Sequence, residues 1–128
     1  MLAEISDASR ARYDRDGYLI VERMIDPARI PALHQAFEDL FHGRFETGVR
    51  PDEVNWQAVD GDPSRTRQIC NGWKASRAIA RVVLDAEIGR MIAQLAGWPG
   101  VRIMIDNLLW KPPATKSLGF HQDSAYLL

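Results

Sequence analysis

His121 and Asp123 are the residues of this chain best suited to chemistry. In an extended strand, side chains alternate faces, so an imidazole and a carboxylate two positions apart project toward one point. These are two of the three donors of a 2-His-1-carboxylate centre. Such a centre grips one face of Fe(II) and leaves the remaining positions open for a co-substrate and O₂. Gln122, between them, points the other way, and any part it plays at the site must come through local twist.

The tripeptide alone is weak, because a His-x-Asp arises by chance in about a quarter of chains of this composition. The stretch before it carries more weight. Residues 101–111 form the most strand-like run of the chain, apolar on both faces and ended by Pro112 and Pro113, which cannot donate to a ladder. A further strand is expected to hold His121 and Asp123. Asn107 interrupts one apolar face, and a buried amide needs a partner. That partner is either a bound carboxylate or neighbouring backbone.

Upstream elements must position these strands. Ser6 caps a short helix through about Asp14, stopped by Gly17. Residues 18–22 are β-branched and aromatic, hence a strand. Asp26-Pro27 opens a helix whose Ile30, Leu33, Phe37, Leu40 and Phe41 fall on one apolar stripe. Residues 43–64 lack periodicity and predict a long loop or lid. Residues 67–70 predict a short strand ended by the turn pair Asn71-Gly72. Ser76 begins another helix, and Asp85 caps one more with Ile88, Met91, Ile92 and Leu95 on one face, closed by Gly97. Helices first and strands later give an α+β class.

Composition narrows the class further. A chain of 128 residues is one domain at most, with a modest core. A net charge of −1 with scattered Lys and Arg argues against a nucleic-acid partner, and no apolar run approaches membrane-spanning length. One cysteine, Cys70, and the lack of a basic-then-apolar leader point to the cytoplasm. Cys70 itself reads as a small buried hydrophobe. Trp110 and Phe120 read as core aromatics, and Arg50, Arg65 and Arg67 as solvated loop cations.

Asp16-Gly17-Tyr18, Lys111-Pro112-Pro113 and His121-Gln122-Asp123, in that order and at those separations, resemble the amino-terminal half of the phytanoyl-CoA dioxygenase family, from about Arg12 onward. The resemblance implies a double-stranded β-helix (jelly-roll). Residues 1–100 would form a helical buttress with short strands, and residues 101–128 the first core strands. It implies Fe(II) held by His121 and Asp123, 2-oxoglutarate as co-substrate, O₂, and hydroxylation of an unactivated C–H in a small organic or acyl substrate. The retained Asp123 favours hydroxylation over halogenation.

By the same resemblance Asn107 and Gln68 face the co-substrate. Lys111 offers an ammonium to a carboxylate or is simply solvated. Relatives take their second histidine and a 2-oxoglutarate-binding arginine from farther downstream. His34 and His42, the other two histidines, sit on one predicted helix and read as partly exposed. The expectation is therefore a partial domain, inactive alone, whose open strand edges favour self-association. A non-catalytic binding or assembly module built on the same fold is the alternative.

Overall fold

The computed structural model describes residues 5–117 and 119–123. The elements run α1 (Asp7–Asp16), α2 (Ile30–Phe41), β1 (Glu53–Val54), β2 (Arg67–Cys70), α3 (Arg77–Val83), α4 (Ala86–Ala96) and β3 (Asn107–Trp110). The class is α+β. The three strands form one antiparallel sheet in the order β1-β2-β3, with Ile69 opposite Leu108 and Cys70 opposite Asn107. Among the described residues, no helix is long and apolar enough to cross a membrane.

Local chemistry sets most helix ends. The Ser6 hydroxyl accepts from the Ser9 N–H, and Gly17, at φ 78°, ends α1 at Asp16. Asp26 accepts from the Ala28 N–H, and Pro27 opens a single 3₁₀ turn that leads into α2. Ser76 and Asp85 cap α3 and α4, and Gly97 closes α4 in the left-handed region that favours glycine.

The core lies between α2, α3 and one face of the sheet. Ala36, Leu40, Phe41, Trp56, Ile69, Ala75, Ile79 and Leu108 form it, with Leu33 and Phe37 packed at its margin. The inward face of α2 is thus centred on Ala36, Leu40 and Phe41, while Ile30 at the helix start is exposed. Trp56 comes from the segment expected to be a loop. That segment contains β1, and the Trp56 ring meets Phe41 edge-on at 5.8 Å and 82°.

Three expected strands are shortened or missing. Residues 18–22 form no strand with any described residue, and Arg23 turns the chain at φ 54°, leaving Tyr18 and Ile20 exposed. Residues 101–111 join the ladder only at β3. Their partner β2 ends at Cys70, where Asn71 turns left-handed at φ 58°. A strand without a neighbour leaves its backbone groups to water. Ile103, Met104 and Ile105 are accordingly exposed rather than covered on both sides. His121 and Asp123 lie outside any strand, and Phe120 is fully exposed rather than core.

Gly72 shows how tightly the turn packs. A Cβ there would stand 2.5 Å from Leu108 Cδ1 and 3.4 Å from Leu40 Cδ1. Gly72→Ala is expected to cost about 1–3 kcal/mol, the usual toll of overpacking a core, read as a lowered midpoint in urea unfolding.

Candidate metal centre

His121 Nε2 and Asp123 Oδ1 approach to 3.2 Å, although no strand carries them. The other ring nitrogen, Nδ1, lies 3.0 Å from the Gly119 carbonyl oxygen. A carbonyl only accepts, so Nδ1 carries the proton in that contact and Nε2 is the atom free to bind an ion. A histidine ligand whose second nitrogen donates to a carbonyl is the arrangement that fixes its tautomer and ring orientation.

The separation also suits a metal. Two donors about 2.1 Å from one ion and at right angles stand about 3.0 Å apart. The pair therefore fits two adjacent positions of an octahedral Fe(II). Both side chains are open to solvent, His121 at 62% and Asp123 at 68%. No cluster of three metal-binding side chains occurs among the described residues. His34 is exposed on α2 and His42 is exposed at its C-cap, where its Nδ1 is taken by the Glu38 carbonyl at 2.7 Å.

The sheet gathers the proposed co-substrate residues separately. Gln68 lies opposite Leu109 and Cys70 opposite Asn107, so all four share one face, turned away from the core residues Ile69 and Leu108. Gln68 is half-buried and its amide reaches the Cys70 sulfur at 3.6 Å. Asn107 is exposed, not buried, so its amide does not require a protein partner. Lys111 is exposed just beyond β3, and Gln122 is exposed between the two candidate ligands. Burial pushes the Cys70 thiol above its ordinary value; the Gln68 contact opposes this and the Glu53 carboxylate adds to it. Such a thiol is inert.

Two polar residues were not singled out in the sequence, or were misread there. Arg67 is half-buried, not solvated. Its guanidinium lies 3.9 Å from the Trp56 ring, 5.3 Å from Trp110 and 6.0 Å from Phe41. Its Nε is buried without a hydrogen-bond partner among the described residues. The signal was present as Arg67 at the head of a strand, but the aromatics that enclose it come from three other elements.

Asp106 is the second. It is buried immediately before β3 and locks the β2–α3 turn to that strand. Its carbonyl accepts from the Asn71 N–H at 2.9 Å, its N–H donates to Asn71 Oδ1 at 3.3 Å, and its carboxylate lies 3.3 Å from the Trp73 N–H.

Burial raises the Asp106 carboxyl above the ordinary value of 3.8, with the Trp73 and Gly72 N–H groups opposing and Asp52 adding to the rise. A carboxyl raised on folding contributes stability that is complete below its unfolded value and lost as pH rises through the folded one. The wild-type stability, measured relative to Asp106→Asn by urea unfolding, is therefore expected to fall as pH climbs from just below 4 toward neutrality. The half-buried Asp39 and the exposed Asp52, Asp62 and Glu46 are lowered by their hydrogen bonds and act in the opposite sense, losing their contribution as pH falls. Taking the difference from Asp106→Asn removes them.

Comparison with curated proteins and with solved structures yields no match. Comparison with protein families does: residues 13–128 match the family described as Phytanoyl-CoA dioxygenase (PhyH). The match spans the half-buried Tyr13 at the end of α1, the sheet and the His121–Asp123 pair alike. With nearly all of its length accounted for in this way, the chain belongs to the phytanoyl-CoA dioxygenase family.

Proposed function

We propose that this chain contributes His121 and Asp123 to the Fe(II) site of a 2-oxoglutarate-dependent dioxygenase that hydroxylates an unactivated C–H of a small organic or acyl substrate. The observation that carries the reading is the His121–Asp123 approach, with Nδ1 held by Gly119 and Nε2 turned to the carboxylate. Members of the family generally use Fe(II) and 2-oxoglutarate. When bound, that pair would activate O₂, the oxidant, with decarboxylation of 2-oxoglutarate to succinate and CO₂ and hydroxylation of the substrate supplying two electrons each.

The protein's own part is to hold and orient. The Gly119 carbonyl keeps the proton on Nδ1, so the Nε2 lone pair is presented to the ion. Asp123 supplies a negative oxygen beside it. A proton on Nε2 would instead bridge to Asp123, so metal and proton compete for the same atom. We further propose that the face bearing Gln68 and Asn107 turns toward the interior of a double-stranded β-helix begun by β1–β3. Gln68, Asn107, Lys111 and Gln122 are its candidate contacts to 2-oxoglutarate.

The test is anaerobic titration of the 128-residue protein with Fe(II) in the presence of 2-oxoglutarate, following the visible metal-to-ligand band. A saturable band that disappears in His121→Ala supports the reading; an identical band in His121→Ala rejects it. The described residues bring only two donors together, so turnover by this chain alone is expected to be absent. Stoichiometric succinate from the purified protein under air would overturn that expectation.

A further inference from the structure

Asn71 and Gly72 open the β2–α3 turn, and the fold demands both residue types there. Asn71 adopts the left-handed region at φ 58° and ψ 42°, which asparagine tolerates better than most side chains. Its side chain is held as an amide. Nδ2 donates to Asp52 Oδ2 at 2.7 Å, whereas Oδ1 accepts from the Trp73 indole N–H and the Asp106 N–H, each at 3.3 Å. A carboxylate only accepts and those N–H groups only donate, so neither an ionised aspartate nor a flipped amide fits. Gly72 is required in turn, because a Cβ would stand 2.5 Å from Leu108 Cδ1.

The same pair is chemically labile, since glycine has no side chain to shield its nitrogen from the neighbouring amide carbon. In an open chain the Gly72 nitrogen bonds to Asn71 Cγ and gives up its proton, the Cγ–Nδ2 bond breaks, and the amide leaves as ammonia. Water then opens the cyclic imide at one carbonyl or the other, leaving aspartate or isoaspartate. The closed turn blocks the first step. At ψ 42° the Gly72 nitrogen lies nearly opposite Cβ across the Cα–C bond, so rotation of the side chain alone cannot bring Cγ to it. The backbone is held in that state by Asp106. Its carbonyl accepts from the Asn71 N–H at 2.9 Å, and its carboxylate faces the N–H groups of Gly72 and Trp73.

We propose that Asn71 is a self-modification site whose reaction is gated by the clasp of Asp52 and Asp106 on the turn, and that the product cannot close the turn again. An aspartate at this position sets a second carboxylate against Asp52, with Lys74, 2.7 Å from both Asp52 oxygens, shared between the two. An isoaspartate lengthens the main chain by one carbon and pulls the Gly72 N–H out of register with Asp106. Either product releases the start of β3 from the turn. The reaction involves neither the His121–Asp123 pair nor a metal, so it stands or falls independently of the oxygenase reading.

The experiment is incubation of the 128-residue protein in mildly alkaline buffer, folded and in guanidinium chloride, with peptide mass mapping of amide-to-acid conversion. Asn55 and Asn107, followed by Trp56 and Leu108, serve as internal references. Conversion in denaturant is expected to favour Asn71, and in the folded protein to be at least about tenfold slower, the protection of a turn that must open to react. Asp52→Ala is expected to raise the folded rate about threefold, the worth of one exposed bond to a charge, and to leave the denatured rate unchanged. Asp52 is exposed, so that variant keeps the fold. Asn71→Asp, the product itself, is expected to lower the urea midpoint, and Asp52→Asn added to it to restore part of the loss. Equal rates in the folded and denatured protein, an unchanged folded rate in Asp52→Ala, or an unaltered midpoint in Asn71→Asp would each overturn the proposal.

Discussion

Asp123→Ala is expected to weaken Fe(II) binding by about a hundredfold or more, while leaving the urea midpoint of the protein unchanged. The two halves of that expectation have different sources. Loss of a residue that merely orients a ligand already costs 10–100-fold in metal affinity, and Asp123 is proposed as a ligand itself. Its removal also strips the site of its only carboxylate, so the ion would be left with a neutral imidazole. Stability is indifferent because the side chain is two-thirds exposed and, among the described residues, pairs with His121 alone. His121→Ala should behave alike. A structural ion pair would give the opposite pattern, with unaltered metal affinity and a small change in stability. Isothermal titration with Fe(II) under nitrogen, beside urea unfolding of the same preparations, separates the two.

The elements that sequence reasoning located best are those fixed by local rules. Ser6, Asp26, Ser76 and Asp85 all accept the backbone hydrogen bond expected of a cap, and Gly17 and Gly97 stop their helices in the left-handed region. Strand extent depended on something no local pattern contains, which is the length of the neighbour. Residues 101–106 have the composition of a strand, yet β2 offers only four partners before Asn71 turns away and captures Asp106. The same limit hid the Arg67–Trp56 contact. Arg67 reads as a solvated cation from its own segment, and only tertiary packing brings it to 3.9 Å from the Trp56 ring. Asp106 is legible in the sequence as a lone acid in an apolar run, the usual mark of a buried, bonded carboxylate. The candidate metal pair is expected from strand alternation, yet His121 and Asp123 come within 3.2 Å with no strand to alternate their faces, the His121 ring being held by the Gly119 carbonyl.

Phe41→Ala is expected to lower the stability of the fold by about 3–5 kcal/mol. That is a large part of a margin of roughly 5–15 kcal/mol. Phe41 is fully buried at the last turn of α2, where the helix, β1 and β2 meet. Its ring is contacted by Phe37 at 6.4 Å and by Trp56 edge-on, and it forms one wall of the aromatic box around the Arg67 guanidinium. Truncation therefore opens a cavity and at the same time admits water to a cation that has been stabilised by ring faces. Its backbone is involved as well, since the Phe41 carbonyl accepts from the Ala58 N–H at 2.9 Å and ties the 43–64 segment to the helix. Phe41→Leu separates these contributions. It keeps most of the volume and the backbone bond but loses the ring, and its cost should fall well below that of alanine. Urea unfolding followed by far-ultraviolet circular dichroism reads both variants. An alanine variant within 1 kcal/mol of wild type would mean that α2 is not seated on the sheet through Phe41.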